Sequence, residues 1–152
     1  GGGMILPDVN LLLYTVNTDF REHERAFAWW SSVLKAGMPV GLCGCVSFAF
    51  VRLSTNPRVF SRPLEVCDAF AYLNNWLSFE GVRLLENEAG DLAVAQGFLE
   101  AAGTGGNLVT DAQIAAVARR VQGTVYSADA DFGRFEGLRW KNPLGGKPSR
   151  PG

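Results

Sequence analysis

The sequence lacks the features of several protein classes. Its 152 residues carry 14 basic and 15 acidic side chains, and a formal net charge of −1 excludes a protein that binds nucleic acid through a strongly basic overall field. The longest apolar runs, such as residues 46–51, fall far short of the roughly 20 residues that span a bilayer. No secretory signal pattern follows Met4. We therefore expect a cytoplasmic protein that does not associate with membranes.

Cysteine and histidine are also scarce. The chain has three cysteines, an odd number that does not suit a disulfide framework, and Cys43-Gly44-Cys45 lacks the spacing and the second ligand pair of a zinc site. We predict that all three are reduced residues of the core. His23 is the single histidine, and its charged neighbours favour an exposed helix face. Catalysis by an imidazole is therefore not indicated.

Length and composition fit one globular domain. Hydrophobic residues make up 47% and charged residues 19% of the chain, the balance of an ordinary folded protein. A single core of roughly 100–200 residues is the usual unit. Residues 1–3 are glycines that resemble a remnant of cloning, and residues 145–152 read as a flexible C-terminal tail. We expect the domain to span residues 4–144.

Short apolar runs alternate along the chain with segments of helical periodicity. This alternation predicts a mainly parallel sheet of four or five strands with helices on both faces, an α/β fold. Strands are predicted at residues 4–6, 39–42, 82–85, 124–127 and 138–140. Helices are predicted after Asn10, over residues 22–35, from about Cys45 to Ser54, from about Pro63 to Leu77, and over residues 91–101 and 111–121.

Two of these helices have an apolar face that indicates where they pack. Phe27, Trp30 and Leu34 share one face of the helix at residues 22–35. In the helix that ends at Leu77, the apolar row is Val66, Phe70, Leu73 and Leu77.

Large aromatic side chains are more numerous than one small core readily hides. We expect most of them to be core residues and part of them to line a groove for a partner helix. The set is Phe27, Trp29, Trp30, Phe48, Phe50, Phe60, Trp76 and Phe79.

Four aspartates stand where a site is expected in such a sheet. Asp8 follows the first predicted strand, Asp111 begins a predicted helix, and Asp129 and Asp131 follow the strand at residues 124–127. The carboxyl ends of parallel strands meet at one edge of the sheet. Carboxylates crowded together repel unless a cation neutralises them, and hard oxygen ligands suit Mg²⁺ or Mn²⁺. The sequence therefore predicts a metal site formed by these four residues.

Each aspartate also has a structural explanation when it is taken alone. Asp8 or Asn10 suits the N-cap of the first helix, and Thr110 suits a cap that places Asp111 at the positive end of a helix dipole. Residues 127–132 suit a turn that ends in a helix cap. Four acids placed together in this way favour a functional site over coincidence.

The segments around these aspartates resemble, in order along the chain, the motifs of PIN-domain ribonucleases of the VapC toxin type. Residues 7–14 (PDVNLLLY) resemble the opening motif, and residues 107–112 (NLVTDA) the motif that supplies the third acid. Residues 127–132 (SADADF), with the Trp-Lys-Asn-Pro segment at 140–143, resemble the closing motif. The match extends from about residue 4 to residue 144. It implies a PIN-like, three-layer α/β/α fold.

The resemblance also implies a function and partners. It implies a toxin endoribonuclease that hydrolyses RNA phosphodiester bonds with Mg²⁺, or Mn²⁺, held by the four aspartates. It further implies a homodimer and inhibition by a cognate VapB antitoxin, whose C-terminal segment lies in a groove of the toxin. We expect Asn10, Thr110 and Ser127 to support the ligands through hydrogen bonds. Arg52 is expected to contact substrate phosphate or to pair with a site aspartate.

One position departs from the PIN pattern. These domains usually carry a glutamate on the helix before an arginine, and Ala49 stands there, ahead of Arg52. The change removes an oxygen ligand. Residues 52–60 resemble VapC relatives with the same gap, which indicates a subfamily trait. The alternative is a catalytically weakened PIN-like module that binds RNA or protein. A haloacid dehalogenase-type phosphatase is disfavoured because Asn10 stands where its second aspartate is required.

Overall fold

Strands and helices alternate along residues 3–145, the part of the chain that the structure, a computed structural model, describes. The strands are β1 (Ile5–Pro7), β2 (Val40–Cys43), β3 (Val82–Leu85), β4 (Thr124–Tyr126) and β5 (Trp140–Lys141). The α-helices are α1 (Val9–Val16), α2 (His23–Lys35), α3 (Gly44–Ser54), α4 (Val66–Leu77), α5 (Ala89–Ala102) and α6 (Leu108–Arg120). A short 3-10 helix covers Ala130–Arg134.

The five strands form one parallel sheet in the order β3-β2-β1-β4-β5. The predicted α/β fold with a parallel sheet is confirmed. β1 lies at the centre, and its last residue, Pro7, is in register with Tyr126, the last residue of β4. The residues that follow these two strands, Asp8 and Ser127, therefore leave the sheet side by side.

The strands are short and apolar because both faces of the sheet are covered. Every residue of β1 and β2 is buried, as expected for parallel strands packed on both sides. Leu6, Val40, Leu42 and Val125 have no exposed surface. Burying such a side chain stabilises the fold by about 1.5–3 kcal/mol each, so the central strands form a rigid base for whatever follows them.

The buried face of α2 is only partly the predicted one. Trp30 and Leu34 are buried with Ala26 and Val33, but Phe27 is 55% exposed. The prediction for Phe27 as a core residue of this face is wrong. The face that contacts the core is centred on the row through Ala26, Trp30 and Val33, and Phe27 lies beside it.

In α4 the predicted apolar row is rotated from the observed one. Leu73 is buried, but Val66 and Phe70 are 59% and 38% exposed, so their predicted burial is wrong. Ala69 and Trp76 complete the buried row with Leu73, at intervals of four and three residues. Trp76 contributes far more apolar area than Val66, and it decides which side packs inward.

Several predicted boundaries are corrected by the structure. α4 begins at Val66, α5 at Ala89 and α6 at Leu108, whereas the sequence patterns place these starts at about residue 63 and at residues 91 and 111. β5 covers residues 140–141 and not 138–140, because the Leu138 amide donates to the Phe135 carbonyl in a turn.

The cysteines and the histidine only partly match expectation. All three cysteines are free; Cys43 is buried and Cys45 half-buried, but Cys67 is exposed and its predicted place in the core is wrong. His23 is half-buried, with Nδ1 at 2.8 Å from the carbonyl oxygen of Tyr14, so the prediction of an exposed face is also wrong for it.

None of the helices found within residues 3–145 combines the length and apolarity that crossing a bilayer requires. The predicted domain, residues 4–144, lies within this range, and its boundaries stay a prediction. Apart from Gly3 and Gly145, the glycine remnant and the predicted tail lie outside the described residues.

Candidate active site

Asp8 both begins a helix and faces the end of the neighbouring strand. It is the N-cap of α1, and its Oδ1 accepts a hydrogen bond of 2.8 Å from the Val9 amide. Its own amide donates to the Tyr126 carbonyl at 2.8 Å. The side chain is buried, with 6% of the residue exposed. Asp8, and not Asn10, is therefore the helix cap, and capping leaves Oδ2 for other contacts.

Ser127 connects Asp8 to the third segment of the site. Its hydroxyl, fully buried, donates to Oδ2 of Asp8 at 2.8 Å. The Ser127 hydroxyl oxygen also accepts hydrogen bonds, from the Asp129 amide at 2.9 Å and from Nδ2 of Asn10 at 3.3 Å. One donor and two acceptor positions are all that a hydroxyl offers, so Ser127 is fully used. It fixes the Asp8 carboxylate relative to the backbone of Asp129.

Three carboxylates from two distant segments meet at this edge of the sheet. Asp111, in the first turn of α6, Asp129 and Asp131 each offer an oxygen, and these oxygens lie within 4.8 Å of one another. Asp129 caps the 3-10 helix, accepting a bond of 2.9 Å from the Asp131 amide. Asp8 is not a member of this group of three, but Ser127 links it to Asp129.

Two carboxylates of the site, those of Asp111 and Asp8, have raised pKa values. Burial, followed by the negative charges of Asp8, Asp129 and Asp131, raises the pKa of Asp111 to about 7. Burial also raises the pKa of Asp8, with a further contribution from Asp129, although the bonds from Ser127 and Val9 oppose it. Asp8 and Asp111 are therefore close enough to repel. Such a cluster favours either a bound proton or a bound cation.

A cleft of about 420 Å³ opens at the three carboxylates. Its other lining residues are Thr104, Gly105, Gly106, Asn107, Leu108 and Arg134. The sequence analysis assigned no role in the site to residues 104–106 or to Arg134. The available signal for Arg134 was its position three residues after Asp131, one turn farther along the 3-10 helix.

Two of the predicted supporting residues, Thr110 and Arg52, make no hydrogen bond to the site aspartates within residues 3–145. Thr110 is the exposed third residue of α6, whose N-cap is Asn107, so it does not cap the helix. Within residues 3–145 its side chain makes no hydrogen bond, and neither does that of Arg52, exposed in the last turn of α3. Arg52 also forms no ion pair with a site aspartate there. Ala49, on the same helix, offers no ligand atom.

We expect the pH dependence of stability to report the charge repulsion at Asp111. Its folded pKa of about 7 lies above the ordinary value of 3.8, so its contribution to stability is fully present below pH 4 and is lost as pH rises to about 7. Asp111→Asn removes this pH-dependent loss of stability. In EDTA, the Tm of the variant minus the Tm of the wild type should therefore be about 3 °C larger at pH 8 than at pH 4.5, a value that allows for the partial exposure of Asp111.

The matched control for this comparison is Asp68→Asn. Asp68 is exposed on α4, away from the cluster, so its replacement should not reproduce the increase in the Tm difference that is expected for Asp111. A difference at Asp111 that stays constant from pH 4.5 to pH 8 would contradict the assignment of a raised pKa to this residue.

Comparison with known proteins places this arrangement in a family. Ribonuclease VapC33 of Mycobacterium tuberculosis is 43% identical over 141 residues, which cover 93% of this chain and 99% of that protein. The chain belongs to the VapC ribonuclease family. Ribonuclease VapC37 of the same organism is 37% identical over 140 residues, or 92% of this chain and 97% of the relative. No protein-family model matches the chain.

Solved VapC structures share the fold. The structure of VapBC2 from Rickettsia felis bound to a promoter DNA fragment matches with a TM-score of 0.67 at 17% identity, covering 91% of this chain and 98% of that one. Mycobacterium tuberculosis VapC20, a toxin that cleaves the sarcin-ricin loop, gives a TM-score of 0.67 at 22% identity, covering 88% and 95%. At these identities the likeness establishes the VapC fold.

Proposed function

We propose that this VapC-family chain is a toxin endoribonuclease that hydrolyses RNA phosphodiester bonds with Mg²⁺ or Mn²⁺ at the aspartate cluster. The observation that carries the proposal is the approach of three carboxylates, from α6 and from the segment after β4, to within 4.8 Å. Relatives of 43% and 37% identity are named ribonucleases. The roles of the individual residues are part of the proposal.

The residues present fit a hard divalent cation. Asp111, Asp129 and Asp131 supply oxygen atoms only, and Mg²⁺ and Mn²⁺ prefer such ligands. Burial, and then the charges of Asp8, Asp129 and Asp131, raise the pKa of Asp111, and no ion pair in the described residues includes a member of the cluster. When bound in such a site, a divalent ion lowers the pKa of a water and offsets charge on the phosphate. Three carboxylates leave positions for water and substrate.

The chain's own residues would hold the ligands in place. Ser127 and the Val9 amide each bind one oxygen of Asp8, so its carboxylate has one orientation. The bond from the Asp131 amide does the same for Asp129. Asn10 extends this set by donating to Ser127, which agrees with the supporting role expected for both. Preorganised ligands lose less entropy when the ion and the RNA bind.

The absence of the usual glutamate at Ala49 does not favour the alternative of a binding module. α3 adds no carboxylate to the cluster, yet Asp8 remains beside it, fixed by Ser127. We propose that Asp8 completes the acidic surface that RNA and metal share, and that the site works without an acid from α3.

We further propose a VapB antitoxin as the protein partner, since solved relatives include VapBC complexes. A groove of about 190 Å³ lies between α1, α2 and α4. Phe27, Trp30, Tyr72, Trp76 and Phe79 are among its lining residues. Phe27 is 55% exposed, so its ring is accessible to a partner that enters this groove. A cytoplasmic location and the homodimer stay predictions that accompany this proposal.

Metal dependence tests the proposal directly. The purified chain, stripped with EDTA and supplied with total cellular RNA, should cleave only after Mg²⁺ or Mn²⁺ is restored, and cleavage should follow the saturation of a site measured by Mn²⁺ titration. Activity that persists in EDTA would indicate a contaminating nuclease or a different mechanism. No cleavage with either ion, despite Mn²⁺ binding, would favour the binding module.

A further inference from the structure

The cleft at the aspartate cluster has one basic side chain among its described lining residues. Arg134 shares the cleft with Asp111, Asp129 and Asp131, and residues 104–108 complete its lining. A cation beside a metal site raises the free energy of metal binding through like-charge repulsion. We therefore expect Arg134 to have a negatively charged binding partner.

The aspartates are not that partner. In the part of the chain that the structure describes, ion pairs within 4.0 Å join Arg62 to Asp19 and Arg120 to Glu88 and Asp91, and none includes Arg134. The only hydrogen bond of its side chain there runs from Nη2 to the Ala102 carbonyl, at 3.4 Å. A guanidinium has five N–H donors, so the remaining donors of this exposed side chain face solvent or the cleft.

The position of Arg134 relative to the acids is fixed by short covalent and hydrogen-bonded connections. It ends the 3-10 helix that Asp129 caps and that contains Asp131. Phe132, between them, has no exposed surface and anchors this helix in the core. The bond to Ala102 attaches the guanidinium to the end of α5. The backbone of Arg134 is therefore fixed beside the acids, and its side chain lines the acidic cleft.

We propose that Arg134 binds a backbone phosphate of the RNA next to the bond that is cleaved; this rests on the proposed function. RNA approaching a cluster of aspartates meets repulsion that a bound divalent ion only partly offsets. The overall charge of −1 supplies no attractive field. An arginine at the rim provides local attraction, and its planar fork matches two phosphate oxygens. It is a substrate-binding residue, separate from the metal ligands.

The experiment compares Arg134→Gln with Arg139→Gln. Arg139 is also exposed and donates through Nη2 to one backbone carbonyl, that of Gln122 at 2.6 Å, but it does not line the acidic cleft. Both variants lose one charge and one such bond. Arg134→Gln should raise KM for RNA about 10- to 100-fold with little change in kcat. It should also reduce the slope of log kcat/KM against log salt by about 0.7–0.9, whereas Arg139→Gln should change neither.

Direct binding separates this inference from the proposed function. Fluorescence anisotropy with a 20-nucleotide random single-stranded RNA, in an Asp111→Asn background with Mg²⁺, reports on Arg134 whether or not the parent protein cleaves. Affinity lower by about 10-fold for Arg134→Gln, but not for Arg139→Gln, supports the inference. Equal affinities of the two variants overturn it. A loss of Mn²⁺ affinity in Arg134→Gln with unchanged RNA affinity also overturns it, because that result assigns Arg134 to the metal cluster.

Discussion

Asp111→Asn is expected to lower kcat for metal-dependent RNA cleavage by on the order of 1000-fold. Residues that only hydrogen-bond to a metal ligand typically contribute 10- to 100-fold, and a direct ligand should contribute more. The substitution keeps the shape of the side chain but removes one of three charges that meet within 4.8 Å. A neutral amide is a weaker ligand for a hard cation. It also removes repulsion from the metal-free cluster, so the loss of activity should come with an unchanged or higher Tm.

The control variant is again Asp68→Asn, which removes the same charge from an exposed position on α4. It should cleave RNA at the wild-type rate. Mn²⁺ affinity, measured by titration calorimetry, should fall for Asp111→Asn and stay constant for Asp68→Asn. Wild-type kcat in the Asp111 variant, together with reduced Mn²⁺ affinity, would separate the metal from catalysis and contradict the proposed function.

Asp91→Ala is expected to lower the free energy of unfolding by about 3 kcal/mol, the lower end of the range for breaking a buried ion pair, because Arg120 keeps partial exposure. Asp91 is 3% exposed and accepts from Arg120 Nε at 3.0 Å, Arg120 Nη2 at 3.3 Å and the Glu88 amide at 2.9 Å. A bond of 3.2 Å from Asn87 completes the set. The network joins the start of α5 to the end of α6. Alanine removes the acceptor of all four bonds and leaves Arg120 Nε and the Glu88 amide unpaired, while Arg120 Nη2 and Asn87 Nδ2 keep the carbonyls of Glu86 and Gln113.

Urea denaturation at neutral pH measures the effect, and Asp19→Ala is the matched control. Asp19 pairs with Arg62 at 3.7 Å, but both side chains are largely exposed, so its loss should cost less than about 1 kcal/mol. Burial raises the pKa of Asp91, but the bonds from Arg120, Glu88 and Asn87 outweigh it, and the net pKa lies below 3.8. Its contribution is therefore present above pH 4 and is lost only at lower pH. A cost below 1 kcal/mol at pH 7 would contradict the structural role.

The positions of the strands and of Asp8, Asp129 and Asp131 were predictable from sequence. In a parallel sheet buried on both faces, a strand is a short continuous apolar run, and the polar residue that ends it marks the edge where other strands end. The bounds of Val82–Leu85 were predicted without error, although this strand lies at the edge of the sheet and includes the exposed Arg83. Asp8 and Ser127 follow the rule together, because β1 and β4 are paired in register.

Helix starts were harder to predict because the signals were absent or misleading. Asp91 looks like a first residue, but it is the third, since its side chain and that of Glu88 form a reciprocal capping box. For α6 the sequence offers two starts: Asn107 is a favoured N-cap residue type, but Thr110-Asp111 also suits a helix start, and Asn107 caps the helix without a side-chain hydrogen bond. The motif likeness grouped Asp111 with Asp129 and Asp131, and the three carboxylates lie together in the structure.

Contacts between distant side chains were beyond the reach of sequence patterns. Arg120 and Asp91 are 29 residues apart, and their pairing depends on how α5 and α6 cross. Arg134, on the 3-10 helix, and Ala102, at the end of α5, are also distant in sequence, and their hydrogen bond depends on how these two elements pack. For Arg52, in contrast, a contact was predicted that the structure does not contain. The motif indicated a position near the acids, but Arg52 lies at the exposed end of α3 and makes no hydrogen bond or ion pair through its side chain in residues 3–145.

The central place of β1 in the sheet affects how the protein tolerates local opening. Either outer strand, β3 or β5, can detach while β1 and β4 stay paired. The amide of Asp8 bonds across that inner pair to Tyr126 and keeps this bond when β3 detaches. The Ser127 amide, in contrast, donates to the Lys141 carbonyl of β5 at 3.0 Å, so detachment of β5 loosens the residue that links Asp8 to Asp129. Opening at the β5 edge should therefore impair the acidic site before the rest of the sheet unfolds, whereas opening at the β3 edge should leave it intact.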